Sequence, residues 1–181
     1  MSDFPELRDH LLAHAVRSGD FVLKSGDRSS FFIDAKQTTC RPEGMILVAD
    51  AALQALPEEA TAIGGLTMGA DAVAFSVAAV AATRERMLRS FSVRARAKDH
   101  GGRGRIAGAL EAGDRVVITE DTVSRGTSMM EAADVVRAAG ATPILLLPVV
   151  DRGGTVARLA ADAGIAYRPL VTAAELGFGR P

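Results

Sequence analysis

Residues 116–140 read VVITEDTVSRGTSMMEAADVVRAAG, an apolar run followed by two adjacent carboxylates, a small polar loop and a helical pattern. The run VVIT predicts a buried strand, and residues 127–139 predict the helix after it. In open α/β sheets, ligands bind at the carboxyl ends of the strands. Because Glu120 and Asp121 directly follow VVIT, we expect them at such an end, where one contacts a ligand and the other supports the loop.

The loop at residues 122–128 is rich in hydroxyl groups and leads into the predicted helix. Its backbone N–H groups and the helix N-terminus can converge on an anion such as phosphate, with Ser124, Thr127 and Ser128 as further donors. In the alternative interpretation, Thr127 or Ser128 only caps the helix, and the two acids are solvated loop residues. The loop lacks the Gly-Lys-Ser/Thr run of a Walker phosphate loop, so that class of nucleotide site is excluded.

Strand and helix patterns alternate along the rest of the chain. Strand patterns lie at residues 61–65, 87–93, 141–150 and 165–171, and helical patterns at residues 42–56, 70–83 and 153–164. This order predicts an α/β fold with a doubly wound, mostly parallel sheet flanked by helices.

The N-terminal part has a different pattern. Residues 3–17 predict an amphipathic helix, and residues 21–34 predict a hairpin around a Ser/Gly/Asp turn. We therefore expect a single domain over residues 1–181, with an N-terminal helix and hairpin at residues 1–40 and an α/β core at residues 41–181.

Composition excludes several classes of protein. The formal net charge of −1 and the pI of about 6.3 leave no global positive field for nucleic acid or for an acidic membrane surface. Cys40 is the single cysteine, which excludes an intrachain disulfide framework and fits a reducing compartment. No segment approaches the roughly 20 apolar residues of a membrane span. We expect a soluble, cytoplasmic protein.

Lysine is rare in this chain. Of the 21 basic residues, 18 are Arg, and the lysines are Lys24, Lys36 and Lys98. An ammonium group differs from a guanidinium in geometry and in how readily its pKa moves, so a retained Lys is a candidate for chemistry. The role of Lys36 stays open. His10 and His14 share a helix face, but without a nearby acid ligand we interpret them as surface residues rather than a zinc site.

The string from residue 116 to residue 128 resembles the phosphoribosyl-diphosphate signature of type I phosphoribosyltransferases. The resemblance implies that Glu120 and Asp121 contact the ribose hydroxyls. It also implies that the following loop holds the 5-phosphate; its residues are Thr122, Val123, Ser124, Arg125, Gly126, Thr127 and Ser128.

Further segments resemble orotate phosphoribosyltransferases along nearly the whole chain. FVLKSGDRSSFFID, residues 21–34, is similar to that family's hairpin, or hood, and implies that Lys24 and Phe32 line the site together with Ser124. VVDRGG, residues 149–154, is similar to the segment whose Arg binds the orotate carboxylate, which implies that role for Arg152. A guanidinium can donate two parallel hydrogen bonds to a carboxylate. The alternative for Arg152 is a surface ion pair with Asp151.

Two loops resemble the parts of this family that hold the leaving group. GGLTMGAD, residues 64–71, is similar to the diphosphate loop; the matching residues are Gly65, Leu66, Thr67, Met68 and Gly69. RARAKDHGGRGR, residues 94–105, lies in the most basic part of the chain and is similar to the mobile catalytic loop, in which Arg94, Lys98 and His100 match functional positions. Ala95 and Arg96 depart from the family pattern, which puts the strength of pyrophosphate binding in doubt.

The resemblance implies an enzyme that converts orotate and phosphoribosyl diphosphate to orotidine 5′-phosphate and pyrophosphate in pyrimidine synthesis. It implies catalytic roles for Lys98, His100 and Asp121, with Mg²⁺ bound mainly through the substrate diphosphate and water. A homodimer is implied too, because the loop serves the neighbouring subunit. Two alternatives stay open: a phosphoribosyltransferase for another base, and a regulatory protein that senses phosphoribosyl diphosphate.

Overall fold

The computed structural model describes residues 2–22, 28–97 and 104–178. The helices are α1 (Pro5–His14), α2 (Lys36–Thr39), α3 (Pro42–Ala55), α4 (Gly69–Thr83), α5 (Thr127–Ala138) and α6 (Val156–Asp162). The strands are β1 (Val16–Val22), β2 (Arg28–Ile33), β3 (Ala62–Leu66), β4 (Arg89–Val93), β5 (Ile106–Gly108), β6 (Arg115–Val123), β7 (Thr142–Asp151), β8 (Ala166–Tyr167) and β9 (Val171–Thr172).

The main sheet has the strand order β5-β4-β3-β6-β7-β8, and β9 also pairs with β7. Its strands pair in parallel except for β4 and β5, which are antiparallel. The predicted doubly wound, mostly parallel sheet is therefore confirmed. The antiparallel edge strand β5 was not predicted, because three residues are too few for a pattern.

Helices cover both faces of the sheet, as alternate residues of the central strands show. Val117 belongs to the apolar cluster that contains residues of α1, α3 and α4, whereas Val116 and Ile118 belong to the cluster with residues of α5 and α6. Because successive side chains of a strand point to opposite faces, a continuous apolar run is what a doubly covered strand requires. Each such buried Val or Ile contributes about 1.5–3 kcal/mol.

The N-terminal helix is shorter than predicted. It ends at His14, and Val16 already pairs with Ile33 in the antiparallel hairpin of β1 and β2. Pairing with β2 outweighs the helical pattern, since Val16 is β-branched and its strand supplies hydrogen bonds across the hairpin. The hairpin itself is confirmed. The division of the domain at residue 40 stays a prediction, although Leu7 and Leu11 of α1 share an apolar cluster with Val48 of α3.

Within the described ranges, no helix combines the length and the apolar character that crossing a membrane requires.

Candidate active site

The two acids lie inside a strand rather than after it. Strand β6 continues to Val123, and Glu120 and Asp121 are only 8% and 6% exposed. The amide of Asp121 donates to Glu120 Oε1 at 3.2 Å, and the amide of Thr122 donates to Asp121 Oδ1 at 2.8 Å. The alternative in which both acids are solvated is therefore wrong. Two buried carboxylates at the end of a central strand need a counter-charge or a proton.

Lys36 supplies the counter-charge. Its Nζ donates to Asp121 Oδ2 from the first residue of α2, in an ion pair in which the lysine side chain is 43% exposed. Burial opposes the charged form of Lys36, but the hydrogen bond and the charge of Asp121 outweigh it and raise the pKa of the lysine. The sequence left the role of Lys36 open. Its retention as Lys in an Arg-rich chain was the signal for a role.

A proton on Glu120 removes the second negative charge of the acid pair. Burial, and then the negative charge of Asp121, raise the pKa of Glu120 to about 8, while Lys36 acts in the opposite direction. Glu120 is therefore protonated at neutral pH, and the acid pair carries one negative charge next to one ammonium group. A protonated carboxyl can donate as well as accept a hydrogen bond.

The loop after β6 leads through a glycine into the N-terminus of α5. Gly126 has φ of 82° and is the N-cap residue of α5, and a Cβ atom there would lie 2.8 Å from Val156 Cγ2. A positive φ and this close approach both require glycine. Since Thr127 is the first helical residue, neither it nor Ser128 is the cap, so the alternative in which these hydroxyls only cap α5 is wrong. The amides at the start of α5 point out of the helix end.

Residues 65–69 pack directly on the acid pair. A Cβ atom on Gly65 would collide with the Thr119 carbonyl oxygen, and one on Gly69 would overlap Glu120 Oε1. The loop contains a cis peptide bond between Thr67 and Met68. Any larger residue at position 69 would push the loop away from Glu120 or displace its carboxyl group.

Asp71 braces this loop from the first turn of α4. It accepts hydrogen bonds from Thr67 Oγ1 at 2.5 Å and from Ser92 Oγ at 2.7 Å. Sequence patterns gave no sign of this role, because Ser92 lies on a different strand. The side chains of Thr67 and Met68 are exposed, so this loop forms an open rim beside the buried acids.

Arg152 follows β7, the strand next to β6. Its amide donates to the Val123 carbonyl oxygen at 2.8 Å, and the chain beyond it packs against Ser124 through Gly154. Its half-buried side chain makes no ion pair with any residue that the structure describes, and Asp151 instead accepts from the Gly153 amide at 2.8 Å. The alternative of an Arg152–Asp151 surface pair is therefore wrong.

Among the described residues, the guanidinium of Arg152 has no negatively charged partner. Its Nε is buried without a hydrogen-bond partner, and its Cζ lies 5.7 Å from the centroid of the Phe31 ring. Burial lowers the pKa of Arg152, but a guanidinium keeps its charge in proteins. An unpaired, partly desolvated cation at a strand end is suited to a carboxylate ligand.

Phe31, next to the predicted Phe32, is the hairpin aromatic residue that lies beside Arg152. Phe31 stacks on Phe178, with ring centroids 4.4 Å apart, and lies under Arg152. Phe32 is 38% exposed and contacts Phe21 instead, with ring centroids 5.6 Å apart. Adjacent strand residues point to opposite sides, so only one of the two can face Arg152 in this hairpin position.

Five predicted residues remain, and the structure describes two of them. Arg94 lies at the start of the basic loop at residues 94–105. Its amide donates to the Arg105 carbonyl oxygen at 2.7 Å, and its Nη1 donates to the Ile106 carbonyl oxygen at 3.2 Å. Arg125 is exposed at the rim of the phosphate-facing loop. Lys24, Lys98 and His100 lie outside the described residues.

The parallel sheet, the acid pair at the end of β6 and the glycine-started helix after it define a type I phosphoribosyltransferase fold. No protein-family model matches the chain. It is 37% identical over 172 residues to the orotate phosphoribosyltransferase of Nostoc sp., with 94% of this chain and 84% of that protein covered. The chain therefore belongs to the orotate phosphoribosyltransferase family, a class of glycosyltransferase.

Solved structures agree with this assignment. The orotate phosphoribosyltransferase of Mycobacterium tuberculosis matches with a TM-score of 0.84 and 31% identity, over 97% of this chain and 99% of that one. The same protein in complex with 5-phospho-α-D-ribosyl 1-diphosphate matches with a TM-score of 0.80 and 28% identity, over 97% and 99% of the two chains.

Proposed function

We propose that this chain transfers the phosphoribosyl group of phosphoribosyl diphosphate to orotate, releasing pyrophosphate and forming orotidine 5′-phosphate for UMP synthesis in the cytoplasm. One observation carries the choice of base. Arg152 lies at a strand end beside the acid pair, with its Nε buried and unpaired and its guanidinium over Phe31. A pyrimidine with a carboxylate complements this group in both charge and shape, whereas a purine offers it no anion.

The strand β6 and its loop would bind the phosphoribosyl part. The ribose hydroxyls would exchange hydrogen bonds with Glu120 and Asp121, one of which carries a proton and one a charge at neutral pH. The amides and hydroxyls of residues 124–128 would bind the 5-phosphate at the start of α5. Residues 65–69 would hold the diphosphate next to Gly69, which already touches the acid pair.

The base would lie between β7 and the hairpin. Arg152 would donate two hydrogen bonds to the orotate carboxylate, and Phe31 would pack against the ring. Ser124 lies beside Gly154 on the same side and would contact the base or the phosphate. Lys24 and Phe32 remain predicted members of this pocket from the family resemblance.

The transition state separates charge. As the bond from the anomeric carbon to the diphosphate breaks and the bond to the pyrimidine nitrogen forms, the ribose becomes positive and the leaving group negative. Asp121 would lie on the ribose side, where its carboxylate would stabilise the developing cation. On the other side, Arg94, Lys98 and His100 would stabilise the departing pyrophosphate, with Lys98 and His100 contributed by the neighbouring subunit.

Mg²⁺ is part of the proposal. The acid pair is a poor direct ligand, because Asp121 is paired with Lys36 and Glu120 is protonated at neutral pH. The donor set therefore fits an ion held by the substrate diphosphate and water beside residues 65–69. Bound there, Mg²⁺ would neutralise the diphosphate and favour its departure.

A homodimer is also proposed. Large apolar side chains on α3, on α4 and before β4 are exposed: Ile46 at 54%, Phe75 at 48% and Met87 at 85%. These side chains are candidates for an interface, and the family resemblance implies a second copy of the chain as the partner. Sedimentation of the purified protein tests this part, and a monomer at micromolar concentration would contradict it.

A screen of bases tests the proposed reaction. Purified protein is mixed with phosphoribosyl diphosphate, Mg²⁺ and, in turn, orotate, uracil, adenine, hypoxanthine or guanine, and pyrophosphate release is followed. We expect turnover with orotate and at most a hundredth of that rate with the other bases. Turnover with a purine alone would assign another base, and binding of phosphoribosyl diphosphate without turnover of any base would favour a regulatory protein.

A further inference from the structure

Three potential metal ligands meet on the side of the N-terminal helix. His10 and His14 lie one turn apart on α1 with ring centroids 4.4 Å apart, and Glu43 comes from the first turn of α3. Glu43 Oε1 lies 3.8 Å from His10 Nε2, and one ligand atom from each residue lies within 4.8 Å of the others. The sequence-based view that no acid ligand lies near His10 and His14 is therefore wrong, because the fold brings Glu43 to them. The prediction of a surface position is confirmed for the exposed His14.

His10 is the buried member of this group. Its side chain is 9% exposed, and its Nε2 is buried without a hydrogen-bond partner. Its Nδ1 lies 3.1 Å from Thr38 Oγ1. Glu43 Oε1 lies 3.8 Å from this Nε2, too far for a hydrogen bond. A buried imidazole nitrogen without a hydrogen-bond partner is unusual unless something binds it.

Charged groups around the site act in opposite directions. Arg41 repels a cation, and the carboxylate of Glu43 offsets that repulsion.

We propose that His10, His14 and Glu43 form a binding site for a divalent first-row transition-metal ion such as Zn²⁺. Imidazole and carboxylate are ligands that such ions accept in tetrahedral sites, with a fourth position left for water. Bonds of about 2.0–2.2 Å place tetrahedral ligand atoms roughly 3.4 Å apart, so the present distances of up to 4.8 Å must shorten by at most about 1.4 Å. His14 is exposed and the Glu43 side chain is 59% exposed, so both are free to make that movement.

Contacts with α2 and α3 hold His10 in place. The hydrogen bond between His10 and Thr38 is the kind of outer contact that fixes the ring orientation of a metal-binding histidine. A Cβ atom on Gly44 would lie 3.1 Å from His10 Cε1 and would collide with the Thr38 carbonyl oxygen, so α1, α2 and the start of α3 are packed closely here. An ion would tie α1 to α3 beside the helix that carries Lys36. This site lies outside the proposed active site and does not depend on the proposed reaction.

The test is calorimetric titration of the full chain with Zn²⁺, without substrates. Cys40 is exposed and binds Zn²⁺ readily, so all proteins carry Cys40→Ser. We expect one ion per chain with micromolar or tighter affinity. His14→Ala and Glu43→Gln should each weaken that affinity at least tenfold, and the exposed acid variant Glu58→Gln should leave it unchanged. Equal affinity in all four proteins, or no binding at micromolar Zn²⁺, overturns the proposal.

Thermal unfolding provides a second readout that does not rest on turnover. At a free Zn²⁺ concentration roughly 100 times Kd, the Cys40→Ser protein should unfold about 5 °C higher than in chelator. His14→Ala lies on an exposed surface, so this variant should fold normally and show less than half of that increase. An equal increase in His14→Ala would mean that the ion binds elsewhere.

Discussion

Asp121 and Arg152 belong to neighbouring strand ends, and each carries a charge that is partly or wholly removed from water. Asp121 already has its counter-charge, because Lys36 reaches it from α2. Arg152 has no ion-pair partner in the part of the chain that the structure describes, and its Nε is buried without a hydrogen bond. The comparison separates a charge that the protein neutralises itself from one that the protein leaves for a ligand.

This difference has energetic consequences. Removing the partner of a paired buried charge leaves an uncompensated charge behind, whereas removing an unpaired one relieves a desolvation cost. Variants at Lys36 should therefore weaken the fold as well as the reaction. Variants at Arg152 should weaken the reaction alone.

The largest expected effect on kcat concerns Lys98, for which we propose a role in the active site of a neighbouring subunit. Lys98→Ala should lower kcat roughly a hundredfold or more, the range for losing one donor to a transition-state anion. Ala95 stands where many members of the family carry a second Lys, so Lys98 should carry more of this stabilisation. Steady-state pyrophosphate release measures this decrease. A Lys98→Ala protein with near-normal kcat would contradict a catalytic role for Lys98.

Mixed dimers test whether Lys98 acts across the interface. Lys98→Ala subunits and Asp121→Asn subunits are each expected to be nearly inactive, but a hybrid dimer would contain one site with both residues intact. Mixing and refolding the two should restore up to about a quarter of wild-type activity, since half of the dimers are hybrids with one good site each. Hybrids that form and stay inactive would exclude action in trans.

Lys36→Met tests the ion pair between Lys36 and Asp121. Loss of the ammonium should lower kcat/KM for phosphoribosyl diphosphate about tenfold, because Asp121 loses the contact that holds its carboxylate. The free energy of unfolding should fall by about 1 kcal/mol, less than the 3–5 kcal/mol for a fully buried pair, because the Lys36 side chain is 43% exposed. Lys36→Arg should recover part of both losses. A Lys36→Met protein with unchanged kcat/KM would show that the pair has no functional role.

Glu120→Gln tests the proton on the acid pair. The folded-state pKa of about 8 lies above the ordinary value of 4.5, so the stability that the bound proton gives to the wild type is lost as the pH rises toward 8. The Gln side chain does not titrate, so the variant lacks this dependence of stability on pH. The unfolding free energy of Glu120→Gln relative to wild type should therefore rise by about 2–4 kcal/mol between pH 5 and pH 8.

Urea unfolding across that pH range measures this rise. The exposed variant Glu58→Gln is the matched control and should give a constant difference from wild type. A constant difference for Glu120→Gln as well would mean that Glu120 is ionised in the folded protein at neutral pH.

The sequence predicted the local parts of this site well. The strand, turn and helix signals of this segment lie within about a dozen residues: VVIT, two acids, a hydroxyl-rich loop and a helical pattern. Strand β6, Gly126 and helix α5 lie where these signals indicated. The strand nevertheless runs through Glu120 and Asp121 to Val123. Acidic residues normally end a strand pattern, and only the counter-charge of Lys36 and the proton on Glu120 make their burial possible.

Contacts between distant segments could not be predicted. Lys36 and Asp121 are 85 residues apart, and no local pattern relates them. The choice between Phe31 and Phe32 depends on which side of the hairpin faces β7, which the register sets only once the chain is folded. Glu43 joins His10 and His14 through the packing of α3 against α1, which also lies beyond the reach of spacing arguments.

The most direct test of the account is kcat/KM for orotate in Arg152→Met, measured together with the affinity for phosphoribosyl diphosphate and the free energy of unfolding. Loss of a charge-assisted contact to a buried carboxylate should cost on the order of 2–5 kcal/mol, a decrease in kcat/KM of roughly 30-fold to several-thousand-fold. Affinity for phosphoribosyl diphosphate should change less than about threefold, and stability should stay the same or rise by about 1 kcal/mol. The exposed variant Arg158→Met should match wild type in all three measurements. An Arg152→Met protein that keeps its kcat/KM for orotate would contradict the assignment of this charge to the substrate.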